Sequence, residues 1–158
     1  MKQILILVTI FIGIGSSCPR EHSNLSLSVN ISIETRQDTK LFIKVGLKNM
    51  TSDTITYQSM DCGWRTYYTI NNTAYLSTPT KDIGCDKNKI ISVKIAPHST
   101  EFRILDFEIK KAIPAPEGLE LKVGFNFVPV VDGEVVSIKD WLSPQKINYV
   151  WSNSLKVY

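Results

Sequence analysis

The stretch LELKVGFNF, residues 119–127, puts Leu119, Leu121, Val123, Phe125 and Phe127 at every second position. A period of two places alternate side chains on opposite sides of an extended chain, so this stretch predicts a half-buried β-strand. The same period governs LFIKVGLK, residues 41–48, where Leu41, Ile43, Val45 and Leu47 alternate with Phe42, Lys44, Gly46 and Lys48. Upstream, Leu25, Leu27, Val29, Ile31 and Ile33 alternate with Ser26, Ser28, Asn30, Ser32 and Glu34. Shorter runs follow at Ile55 and Tyr57, at Ile91, Val93 and Ile95, and over residues 147–158. Trp64, Thr66, Tyr68 and Ile70 predict a further strand face, with Arg65, Tyr67 and Thr69 on the other side. Phe102, Ile104, Phe107 and Ile109 predict another strand, with a bulge where Leu105 breaks the alternation.

Turn chemistry separates these runs. It lies at residues 36–39, 49–53, 71–72 and 97–99, in a connection over 110–118 holding Pro114 and Pro116, and at the hairpin signal Asp132-Gly133. No stretch sustains a helical period over three turns. About eight short strands in one domain predict an all-β, antiparallel β-sandwich over residues 25–158, with a β-barrel as the alternative closure.

Composition narrows the function. The 158 residues are 43% hydrophobic and 21% charged, as in one globular domain. The net charge of +3 is scattered, without the basic stripe that a nucleic-acid partner requires. His22 and His98 stand alone and read as exposed polar residues. There is no metalloprotease H-E-x-x-H, no G-x-S-x-G elbow and no phosphate-binding glycine loop. The chain therefore reads as a non-enzyme without a cofactor. Asp82, Asp86 and Asn88 flank Cys85 as a weak calcium candidate. They read better as turn caps, because calcium takes six or more oxygens. Four N-x-[ST] sequons, at Asn24, Asn30, Asn49 and Asn71, carry little weight in a chain rich in Ser, Thr and Asn.

The N-terminus has the layout of an export signal over residues 1–17: Lys2, an apolar run from Ile4 to Ile14, then Gly15, Ser16 and Ser17. The run is short of the roughly 20 residues that span a bilayer, and an uncleaved anchor is the alternative. Small residues before Cys18 resemble the lipobox of bacterial lipoproteins, although Gly15 stands where that motif usually has Leu. The resemblance implies a lipid on Cys18 and a polar tether over residues 18–24. Cysteine parity agrees, since Cys62 and Cys85 then pair with none left over. The expected location is the cell envelope, as an outer-membrane lipoprotein held to the membrane by that lipid, with secretion as the alternative. The expected further partner is a protein or glycan of unknown identity.

The stretch SMDCGWRTYYTI, residues 59–70, joins these readings. A Cys62–Cys85 bridge closes a loop of about 24 residues, worth about 3 kcal/mol, with Trp64 packed beside it. The competing reading is a ligand platform of Arg65, Tyr67 and Tyr75.

The order LKNMTSDTITY (47–57), MDCGW (60–64), CDKN (85–88) and IAPHSTEF (95–102) resembles small envelope lipoproteins of Bacteroidetes-type bacteria that carry an immunoglobulin-like domain and have no assigned activity. More loosely it is similar to the bacterial intracellular proteinase inhibitor family, also an immunoglobulin-like sandwich. The likeness covers roughly residues 40–110 and rests on Lys48-Asn49 with Thr51 and on Pro97 with Ser99. It implies two functions: an envelope binding or structural module, or an inhibitor presenting a loop at 77–88 or 110–118. An envelope enzyme of unrecognised type is the third reading.

Overall fold

The structure is a computed structural model and describes residues 26–78, 89–130 and 149–158. Its strands are β1 (Leu27–Arg36), β2 (Lys40–Asn49), β3 (Ile55–Met60), β4 (Tyr68–Ile70), β5 (Ile90–Ile95), β6 (Thr100–Glu108), β7 (Leu119–Leu121), β8 (Val123–Asn126), β9 (Tyr149–Trp151) and β10 (Leu155–Val157). A 3-10 turn, Trp64–Tyr67, precedes β4. The sheets are antiparallel and none closes into a barrel, so the chain is an all-β sandwich.

One layer is β1–β2–β6. The facing layer is built on the stretch 123–130. There β8 pairs with β4 and β9, and the next residues bind β3: the Gln58 amide donates to the Val128 carbonyl and the Val130 amide to the Thr56 carbonyl. β5 extends this layer from β3, and β7 pairs with β10. Leu41, Ile43, Val45 and Leu47 of β2 are fully buried, facing Leu121, Val123 and Phe125 in one core. Each such side chain contributes about 1.5–3 kcal/mol by leaving water.

Among the described residues the eight runs of the sequence give ten strands because two of them break. Residues 119–127 change partners at Lys122, where the Asn71 side chain fills the ladder. Its Oδ1 accepts from the Lys122 amide at 2.8 Å and its Nδ2 donates to the Glu120 carbonyl at 3.1 Å. Residues 149–157 break opposite, at Ser152, whose Oγ accepts from the Val123 amide at 3.0 Å. Side chains thus replace backbone partners where the chain bends.

β6 departs from the expected pattern. No bulge falls at Leu105; the β2–β6 register runs unbroken from Lys40↔Glu108 to Lys48↔Thr100. Leu105 and Phe107 face the core, while Phe102 and Ile104 face outward. Pairing with β2 decides this. The odd-numbered face of β2 is the core face, so the odd residues of β6 must share it, and Glu101 and Arg103 turn inward with them. The irregularity lies instead in β1, between Ile33 and Thr35, and leaves Ile33 exposed.

The two turns that carry the family resemblance form one corner. Asn49 ends β2 and is 0% exposed. Its Nδ2 lies 2.7, 3.0 and 3.1 Å from the carbonyls of Asp53, Ile95 and Ala96, and its Oδ1 accepts from the amide and hydroxyl of Thr51, each at 2.8 Å. Its own amide donates to the Ser99 carbonyl. The Asn49 sequon is therefore a buried latch between the layers. His98, exposed in the adjoining turn, has φ 55, a left-handed conformation uncommon for residues other than glycine.

Candidate functional site

The segment between β3 and β4 holds most of the residues singled out by sequence. Asp61 sets its start: its Oδ1 accepts from the amides of Cys62 at 2.8 Å and Lys89 at 3.0 Å, and its own amide donates to the Lys89 carbonyl. The Thr66 amide and hydroxyl then both donate to the Gly63 carbonyl, closing the 3-10 turn.

That turn replaces the first half of the strand expected over residues 64–70, leaving β4 at 68–70, and splits the proposed ligand platform. A 3-10 turn rotates successive side chains by about 120° rather than 180°, so neighbours no longer point in opposite directions. Tyr67 goes inward, 1% exposed, stacked on Phe125 with ring centres 6.4 Å apart. Tyr68, in the strand that follows, is buried too, 5.0 Å from the same ring. Tyr75 is half-buried and packs against the core. Arg65 and Tyr75 are both half-buried, and Tyr67 between them is withdrawn into the core. No shared surface of Arg65, Tyr67 and Tyr75 exists.

Arg65 instead belongs to a cluster beside β6 that the sequence did not reveal. Its guanidinium lies 4.7 Å from the Trp64 ring centre and its Nε 3.4 Å from Asp106 Oδ1. Arg103 lies 5.3 Å from the same ring and pairs with Glu101. Glu101 Oε2 accepts from the Tyr57 hydroxyl at 3.0 Å. Trp64 also meets Tyr68 edge-on, with ring centres 5.9 Å apart. The available signal was Glu101 and Arg103 at core parity, a pattern that blunts an edge strand by pointing charges inward.

The cluster is closed chemically. Acid and base neutralise one another, and the tyrosines keep their protons. Burial, then the neighbouring Glu101 carboxylate, holds the Tyr57 hydroxyl well above the usual phenol range. Burial pushes Tyr67 up to about 12, against a smaller opposing effect of Gln58 beside it. Burial likewise raises Tyr68 far above its ordinary value. None of the three supplies a phenolate at neutral pH.

Among the described residues an open feature lies on the outer face of β1–β2–β6. A groove of about 260 Å³ is lined by residues including Asn30, Ser32, Lys44, Gly46, Thr100 and Phe102. It exists because Gly46 sits opposite Phe102: a Cβ on Gly46 would lie 3.1 Å from the Phe102 ring and from the Thr100 methyl. Phe102 and Ile104 are 58% and 49% exposed, and the Lys44 ammonium lies 4.7 Å from the Phe102 ring centre.

Cys18, Cys85, Asp82, Asp86 and Asn88 lie outside the described residues, as do His22, the signal and the tether. Among the described residues no three His, Cys, Asp or Glu side chains gather as for a metal ion, and no helix is long and apolar enough to cross a membrane. Comparison of the chain with protein-family models and with curated proteins found no match.

Proposed function

We propose that this chain is a non-enzymatic binding or structural module of the bacterial cell envelope, exported, anchored by a lipid on Cys18 and stapled by a Cys62–Cys85 disulfide. The carrying observation is the contrast between two polar-aromatic features among the described residues. In the cluster of Trp64, Arg65, Arg103, Glu101 and Tyr57, Arg103 pairs with Glu101, Glu101 accepts from the Tyr57 hydroxyl, and both guanidinium groups lie against the Trp64 ring. The open groove has Lys44 as the single titratable side chain of its lining. A surface of that kind suits adhesion rather than acid–base chemistry, which needs paired groups within hydrogen-bond reach. The staple is supported by the two hydrogen bonds between Asp61 and Lys89, one backbone to backbone and one from the Lys89 amide to the Asp61 carboxylate. They return the chain beside Cys62 only four residues after Cys85, a span of at most about 14 Å. Intact mass of the exported protein tests the anchor: residues 1–17 are lost and acyl mass appears on Cys18. A Cys18→Ser protein that still enters the detergent phase completely refutes it.

A proteinase inhibitor is the second reading, favoured by the loop 110–118. The Lys110 amide donates to the Tyr75 carbonyl and the Gly118 amide to the Pro114 carbonyl, both at 2.8 Å. Lys111, Ala112, Ala115, Pro116 and Glu117 stand exposed between these anchors. Assay against a panel of serine and cysteine proteases decides it; an inhibitor of this kind loses potency on Lys111→Ala.

A further inference from the structure

We infer that the tether-side half of the outer β1–β2–β6 face rests on an anionic lipid surface, Met50, Phe102 and Ile104 meeting the apolar boundary and Lys44 and Lys48 the lipid phosphates. The inference deepens the lipid-anchored reading above and rests on it.

Three observations point the same way. The first is where the tether joins the fold. The Met50 amide donates to the Ser26 carbonyl at 2.9 Å, so the chain reaches β1 beside Met50, itself 50% exposed. Cys18 lies eight residues before Ser26, a reach of at most about 28 Å. A lipid at Cys18 therefore holds this end of the sandwich close to the bilayer and keeps its local concentration there high.

The second is the division of charge along the face. Across the half nearer Ser26, the outward residues are Ser28, Asn30 and Ser32 on β1, Lys44, Gly46 and Lys48 on β2, and Thr100, Phe102 and Ile104 on β6. None is a carboxylate. Asp106 and Glu108 lie beyond them, toward the β1–β2 turn, and Asp106 is already beside Arg65. Asp53 is exposed in the 49–53 turn at the tether end, and His98 in the turn next to it. The charge on the strands themselves is thus cationic where the lipid would be nearest. The third is the pairing of each lysine with apolar or neutral neighbours: Lys44 opposite Ile104 and over the Phe102 ring, Lys48 opposite Thr100. This is the amphipathic arrangement that lets lysine stems lie on apolar surface while their ammonium groups reach phosphates.

The physical logic is that of an anchor and an orienting patch acting together. The acyl chains on Cys18 hold the chain at the membrane, and the basic patch turns this face of the sandwich toward it. Each lysine near an anionic surface contributes about fivefold in partition, so the pair gives about 25-fold. The effect is felt only within a Debye length of roughly 8–10 Å, which is why the patch must face the bilayer.

The test uses the mature protein recovered from membranes, its acylation read by intact mass. Phe102→Trp places a fluorophore at an exposed position. Vesicles of equal parts phosphatidylglycerol and phosphatidylcholine carry bromine on their acyl chains. The expected result is quenching beyond that of the parent protein, whose own Trp64, Trp141 and Trp151 provide the baseline. Adding Lys44→Glu and Lys48→Glu, or replacing phosphatidylglycerol with phosphatidylcholine, removes the extra quenching while near-UV circular dichroism stays native. In a preparation without acyl mass, the neutralising pair Lys44→Gln and Lys48→Gln lowers co-sedimentation with the same vesicles about 25-fold. An acylated protein with no extra quenching overturns the inference and leaves the anchor standing. Extra quenching without acyl mass keeps the inference and removes the anchor. A concentration-dependent dimer dispersed by the lysine substitutions, with no quenching, assigns the face to a second copy of the chain and overturns the lipid contact.

Discussion

Replacing Asn49 is the sharpest test of how the two layers are held together. Its carboxamide is fully buried and connects three backbone carbonyls on one side to Thr51 on the other. Asn49→Ala removes these bonds, each worth about 1 kcal/mol net. It also leaves the buried Ile95 carbonyl without that donor, a penalty of about 1–3 kcal/mol. Allowing for partial relaxation of the exposed turn, the loss is about 3–5 kcal/mol. Asn49→Asp keeps the shape and inverts the chemistry. An ionised oxygen then faces the carbonyls of Asp53, Ile95 and Ala96, which favours the protonated acid and raises its pKa in the folded state. The sign follows. The raised pKa makes the variant's stability greatest below the unfolded carboxyl value of about 4, and it is lost as pH rises through the folded value. Urea unfolding followed by tryptophan fluorescence reads both effects. At an m-value of about 2 kcal/mol/M, the alanine variant shifts the midpoint by roughly 1.5–2.5 M, and the aspartate variant gains on the wild type as pH falls. An alanine variant shifted by less than about half a molar, or an aspartate variant as stable as wild type at neutral pH, refutes the latch.

Gly118 has φ 72, and a Cβ there would lie 2.9 Å from the Val157 carbonyl oxygen. Gly118→Ala should therefore cost about 1–3 kcal/mol and lower Tm by several degrees in calorimetry. Tyr67 ionises near 12 in the fold against 10.0 unfolded, so its contribution is fully present below about pH 10 and is lost as pH rises toward 12. The stability of the Tyr67→Phe protein should fall less steeply over that window in alkaline urea titrations. Cys62→Ser and Cys85→Ser should each lose about 2–5 kcal/mol, with the double variant costing little more than either, because one bond is missing in all three. Additive losses in that cycle would remove the staple.

Periodicity alone determined the class of this protein. Leu41, Ile43, Val45 and Leu47, and Leu119 through Phe125, are buried where their alternation placed them, because a strand offers only two faces and an apolar face must leave water. The turns at Asn49 and Pro97 were equally legible, though not that they touch: that contact spans 46 residues of chain and belongs to the packing of one layer on the other. What the sequence could not decide was which face wins when both are mixed. In TEFRILDFE, residues 100–108, apolar and charged side chains occur at both parities, and only the register against β2 turns Leu105 and Phe107 inward and exposes Phe102 and Ile104. The change of rotation at Trp64–Tyr67 was hidden for a related reason. A four-residue 3-10 turn is too short to show a period, and its geometry comes from the local bonds to Gly63 and from the fit of Tyr67 against Phe125. Composition and period therefore determined the all-β class of this chain and the core faces of β1, β2, β7 and β8. Its surface, and with it the cluster around Trp64 and the groove at Gly46, was decided by strand pairing, because a side chain's neighbours across a sheet are set by register rather than by its own stretch of sequence.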